Sequence, residues 1–106
     1  MHPFDVPQVS PQNVPSGAVV LDVREPHEWA DGHIPGARHV PMNSVPATLD
    51  YQPDTIPDDA RVYVVCHLGG RSAQVTAWLR RHGYDAVNID GGMDAWQSAG
   101  RPVVTD

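Results

Sequence analysis

Two runs, Ala18-Val19-Val20-Leu21-Asp22-Val23 and Arg61-Val62-Tyr63-Val64-Val65-Cys66, constrain this chain more than any other feature. Both are rich in β-branched residues and lack the apolar–polar alternation of a strand with one wet face. Such runs suit parallel strands buried on both sides. A parallel sheet needs helices over its faces, so the expected class is α/β.

Shorter runs of the same kind, Ala37 to Val40 and Ala86 to Ile89, add two strands, and Val6 to Val9 suggests a short edge strand. From Ser72 to His82, Val75, Trp78 and Leu79 fall at helical spacing, Arg80, Arg81 and His82 fill the last turn, and Gly83 provides the stop. Smaller helices are expected at Pro26 to Ala30, Asn43 to Leu49 and Met93 to Ala99, the last following Gly91-Gly92. Residues 1–17 contain Pro3, Pro7, Pro11 and Pro15 and read as an extended segment, leaving 18–106 as the core of one domain. The length of 106 residues supports a single hydrophobic core and no second domain.

Charge narrows the partners. Seven arginines and no lysine face thirteen acidic residues, for a net charge of −6, which argues against nucleic acid and anionic membrane as partners. The first nine residues show neither a charged n-region nor an apolar h-region, so the expectation is a cytoplasmic protein. The six histidines are dispersed, so no metal is expected, and the one cysteine, Cys66, has no partner for an internal disulfide.

A lone cysteine is often a small buried hydrophobe, but the neighbours of Cys66 point elsewhere. Cys66-His67-Leu68-Gly69-Gly70-Arg71-Ser72 joins the end of a buried strand to the start of a helix, where backbone N–H groups converge into an anion cradle. Gly69 and Gly70 allow positive φ and a close backbone approach, while Arg71 supplies a permanent cation. A thiol in that setting is expected to serve as a nucleophile. Ligands of open parallel sheets bind outside the carboxyl ends of the strands, where Asp22, Arg24 and Cys66 all fall.

Four segments in order resemble the rhodanese family of sulfurtransferases: Leu21 to Trp29, Gly32 to Ala37, the Cys66 loop, and Asn88 to Trp96. The resemblance implies a central, mostly parallel sheet of four to five strands with helices on both faces. It implies that Cys66 accepts a sulfane sulfur from thiosulfate or a persulfide and becomes a persulfide held by the amides of His67 to Ser72. A nucleophilic acceptor, cyanide or a thiol, then takes the sulfur in a second half-reaction. No metal or organic cofactor is implied; a monomer working on small molecules is expected, with a protein donor or acceptor as the further option.

The resemblance also separates two chemistries. Related cysteine phosphatases carry five residues between nucleophile and arginine, whereas four lie between Cys66 and Arg71, a tighter ring suited to one sulfur atom. Many members carry extra cations at the positions of His67 and Gly70, which leaves Arg71 as the loop's fixed charge and makes the donor the open question. Asp22 and Arg24 are expected to brace the loop through charge-assisted hydrogen bonds. Glu28 either joins that network or is a solvated first-turn carboxylate; His33 is expected to bond backbone, and Trp29, Trp78 and Trp96 to pack on the sheet. The rival reading is a binding or redox- and persulfide-sensing module with little turnover.

Overall fold

The computed structural model describes residues 5–105. Residues 1–4, part of the expected extended segment, and Asp106 lie outside the described residues. Among those described, the strands are β1 (Gln8–Val9), β2 (Val19–Asp22), β3 (Arg38–His39), β4 (Arg61–Val65) and β5 (Asp85–Ile89). They form one sheet in the order β1-β5-β4-β2-β3, and every neighbouring pair is parallel. The helices are α1 (Pro26–Asp31), α2 (Val45–Tyr51), α3 (Gly70–Arg81) and α4 (Gly92–Ser98).

Period-two geometry divides the apolar runs between two cores. Leu21, Val23, Val62 and Val64 pack with Val45 and Leu49 of α2 and Val75 and Leu79 of α3. Val20, Tyr63, Val65, Val87 and Ile89 pack with Met93 and Trp96 of α4, beside Val14 and Ile34. Cys66 continues the Val62, Val64 alternation, so its side chain falls in the α3 core and is 2% exposed. Asp22 is fully buried one residue out of phase with Leu21 and Val23.

Three expectations shift in their details. The helix expected from Ser72 begins two residues earlier, at Gly70, because Gly69 takes a left-handed φ of 109° and serves as N-cap. Gly70 itself has no positive φ among the described glycines. The proline-rich start is less extended than expected, since it holds a 3-10 turn at Pro11–Asn13, and a second such turn, Met42–Ser44, leads into α2. Trp96 is a core residue, whereas Trp29 and Trp78 are half-buried and stack on histidines: Trp29 on His33 at 3.6 Å and on His39 at 4.7 Å, Trp78 on His82 at 3.9 Å.

Candidate active site

The turn from β4 into α3 carries the candidate nucleophile, and its geometry follows from which backbone carbonyls are tethered. The N–H groups of Met93 and Asp94, at the start of α4, donate to the carbonyls of Cys66 (2.8 Å) and His67 (3.1 Å). Ala73 N–H donates to the Gly69 carbonyl at 3.1 Å, and the Asn88 side-chain amide reaches the same oxygen at 3.2 Å. A peptide whose oxygen is held on one side presents its N–H on the other. The N–H groups of His67, Leu68 and Gly70, which belong to those same peptides, are thereby oriented away from the tethering helix and strand.

Cys66 Sγ itself accepts two hydrogen bonds, from Gly69 N–H at 3.1 Å and from Ser72 Oγ at 3.3 Å. Ser72 is fully buried, so its hydroxyl works in a dry setting. The N-terminus of the twelve-residue α3 adds a fixed positive partial charge beside the sulfur. Two donors and the start of a helix thus converge on that atom. Ser72 was expected to contribute its amide; the hydroxyl contact is visible only in the structure. His67 and Leu68 stand at the rim, both exposed, with Leu68 at 65%.

Arg71, expected as the loop's fixed charge, is paired with a carboxylate. Its two terminal nitrogens donate to the two carboxylate oxygens of Glu28 at 2.7 and 2.8 Å, a bidentate clamp from the start of α3 to α1. Glu28 also accepts from Glu25 N–H at 3.0 Å in a capping box, so one side chain starts α1 and ties it to the loop. The Arg71 hydrogen bonds hold the Glu28 carboxyl at about 2, well below its ordinary 4.5.

Asp22 and Arg24 brace a different turn from the one expected. Asp22 accepts the Arg24 backbone N–H at 3.0 Å and its guanidinium at 2.8 to 3.1 Å, and the guanidinium also donates to the Gly32 carbonyl at 2.7 Å. The buried pair thus closes the path from β2 around α1, the helix that carries Glu28. His33 bonds backbone, its Nδ1 lying 2.9 Å from the Trp29 carbonyl. A cleft of about 380 Å³ opens beside the loop between α1 and α4, with Arg24, Glu28, Asp31, His67, Asp94 and Gln97 on its wall.

Sequence reasoning missed Asn88 and underrated Gly92. Asn88 is 2% exposed, and its Nδ2 donates both to the Gly69 carbonyl and to Gln8 Oε1 at 3.0 Å, tying β1, β5 and the loop together. A Cβ on Gly92 would overlap the carbonyl oxygens of Cys66 and His67, so only glycine lets α4 approach that closely. The Gly91-Gly92 pair was the available signal.

Taken together, the fold is an open parallel α/β sheet with a cysteine at the carboxyl end of its central strand, its sulfur accepting from one backbone amide and one hydroxyl at a helix start. A family model described as Rhodanese-like domain matches residues 10–99, and the chain belongs to that family. It is 39% identical over 87 residues to a sulfurtransferase of Allochromatium vinosum, covering 81% of this chain and 78% of that one. To the thiosulfate sulfurtransferase GlpE of Pseudomonas putida F1 it is 41% identical over 83 residues, covering 77% and 72%. A crystal structure of a rhodanese-related protein from Thermoplasma volcanium superposes with a TM-score of 0.81 at 28% identity, over 94% of this chain and 99% of that one. These likenesses support a rhodanese-type sulfurtransferase.

Proposed function

We propose that the chain transfers sulfane sulfur through a persulfide on Cys66. The observation that carries this reading is the sulfur of Cys66 receiving Gly69 N–H and Ser72 Oγ at the mouth of an amide-lined loop. The thiolate attacks the outer sulfur of a donor such as thiosulfate; the donor's S–S bond breaks and sulfite leaves with the electron pair. The outer sulfur of the resulting persulfide carries the negative charge toward the amides of His67 to Ser72. A cyanide or thiolate acceptor then attacks that sulfur, and Cys66 leaves as the thiolate it was at the start.

Asp22 and Arg24 support the reaction at a distance by fixing α1, and Arg71 and Glu28 hold α1 to the loop. A reducing compartment such as the cytoplasm suits a cycle that needs a free thiol. All the groups invoked come from one chain, so the reading takes the monomer as the working unit, with 18–106 as the core of its single domain.

The test is the intact mass after brief exposure to thiosulfate or to an alkyl persulfide, followed by cyanide. A gain of one sulfur atom, discharged by cyanide as thiocyanate and absent in Cys66→Ser, is the expected result. The serine hydroxyl ionises too weakly to attack sulfur, so turnover in that variant is expected below about one per cent of the parent. No sulfur gain with either donor would favour the sensing module.

A further inference from the structure

The arginine of the Cys66 loop and the buried arginine behind α1 are each matched by a carboxylate. Arg24 lies buried against Asp22 at 2.8 Å, and Arg71 is clamped by Glu28 at 2.7 Å. Asp31 and Asp94 stand exposed on the wall of the cleft beside the loop, which His67 also lines, and no arginine among the described residues pairs with either. At the rim, the neighbours of Cys66 are an imidazole, His67, and an exposed aliphatic side chain, Leu68. A dianion approaching the loop past that cleft passes these carboxylates, and the one loop guanidinium that could offset them is held by Glu28.

We propose that Glu28 is a specificity-determining residue: by clamping Arg71 it withholds the loop's cation from the donor, so that the preferred donor is an alkyl persulfide whose carrier brings no net negative charge, rather than thiosulfate. The proposal rests on the Cys66 persulfide reading above. In the step it favours, the Cys66 thiolate attacks the terminal sulfur of R–S–SH. The donor S–S bond breaks, a new S–S bond forms on Cys66, and the carrier leaves as R–S⁻, which takes up the proton that the enzyme persulfide releases. Thiosulfate would instead expel sulfite, a dianion, beside the same carboxylates. Discrimination here comes from a repulsive element as much as from an attractive one.

The experiment is timed sulfur loading of the full chain, read by intact mass, with thiosulfate and cysteamine persulfide as probe donors at low and high salt. In the parent protein, loading from thiosulfate is expected to quicken several-fold as salt screens the repulsion, and loading from cysteamine persulfide to stay flat or slow. Glu28→Gln, which keeps an amide at the capping position and releases the guanidinium, is expected to raise the thiosulfate-to-persulfide ratio of loading efficiency five- to twentyfold. Asp94→Asn leaves the clamp intact and is expected to raise the same ratio two- to fivefold, which keeps the test open should Glu28→Gln loosen α1. Thiosulfate loading that is slowed by salt in the parent, or a ratio unmoved in both variants, would overturn the proposal. Absence of sulfur gain with both donors at both salt concentrations would instead sink the Cys66 reading, and this proposal with it.

Discussion

At the scale of single residues, the Glu28–Arg71 clamp has a consequence for stability that can be separated from catalysis. The Glu28 carboxyl is held near 2 by the Arg71 hydrogen bonds, against an ordinary value of 4.5. A carboxyl lowered by folding contributes stability above its unfolded value and loses it as pH falls through the folded one. The window therefore runs from about pH 4.5 down to about pH 2. Solvent around the clamp, whose side chains are 36% and 22% exposed, screens the pair, so its contribution is on the order of 1–2 kcal/mol. Glu28→Gln should lower unfolding free energy by that amount at pH 7, and the gap to the parent should close by pH 2. Denaturant titrations of both proteins across that range check it; a gap independent of pH would mean the clamp acts by packing alone. The sequence placed Glu28 in the first turn of a helix but could not show which arginine it meets, because the two are 43 positions apart and join only through the fold.

At the scale of elements, two glycine pairs that look alike in the sequence do unlike work. Gly92 lies at φ 62° with the Cys66 and His67 carbonyls where a Cβ would go, whereas Gly70 sits in the first turn of α3 with open space around it. Gly92→Ala is expected to destabilise by about 2–4 kcal/mol and to slow sulfur transfer, since the loop carbonyls must shift or α4 must back away. Gly70→Ala should leave stability within about 0.5 kcal/mol of the parent or raise it, because it removes unfolded-chain freedom at a helical position. Thermal melts and single-turnover rates of the two variants separate them, and equal losses in both would show that the loop, not the α4 contact, is the sensitive part. The strand runs and the Cys66 loop were legible because burial and turn chemistry are local. Which glycine needs to be glycine was not, since the answer lies in the approach of an element some twenty-five positions later.

At the scale of the whole molecule, the sheet order β1-β5-β4-β2-β3 puts the N-terminal strand against the last one, and Asn88 makes that edge part of the site. Asn88→Asp replaces the donor that holds Gly69 with a carboxylate oxygen facing a carbonyl oxygen. Transfer efficiency is expected to fall about tenfold, or about 1.4 kcal/mol. Circular dichroism should show a folded protein; an unchanged rate would mean that the Ala73 N–H alone fixes the Gly69 peptide. The architecture followed from four apolar runs and one helical period, and the resemblance named the family. The joins between the ends of the chain and the loop carried no local signature. Cys66 leaves the ribosome well before residues 88–94, which tether its loop. A partly synthesised chain therefore carries a thiol with no finished cradle, and on the proposed reading sulfur transfer waits until residues 88–94 have emerged and docked.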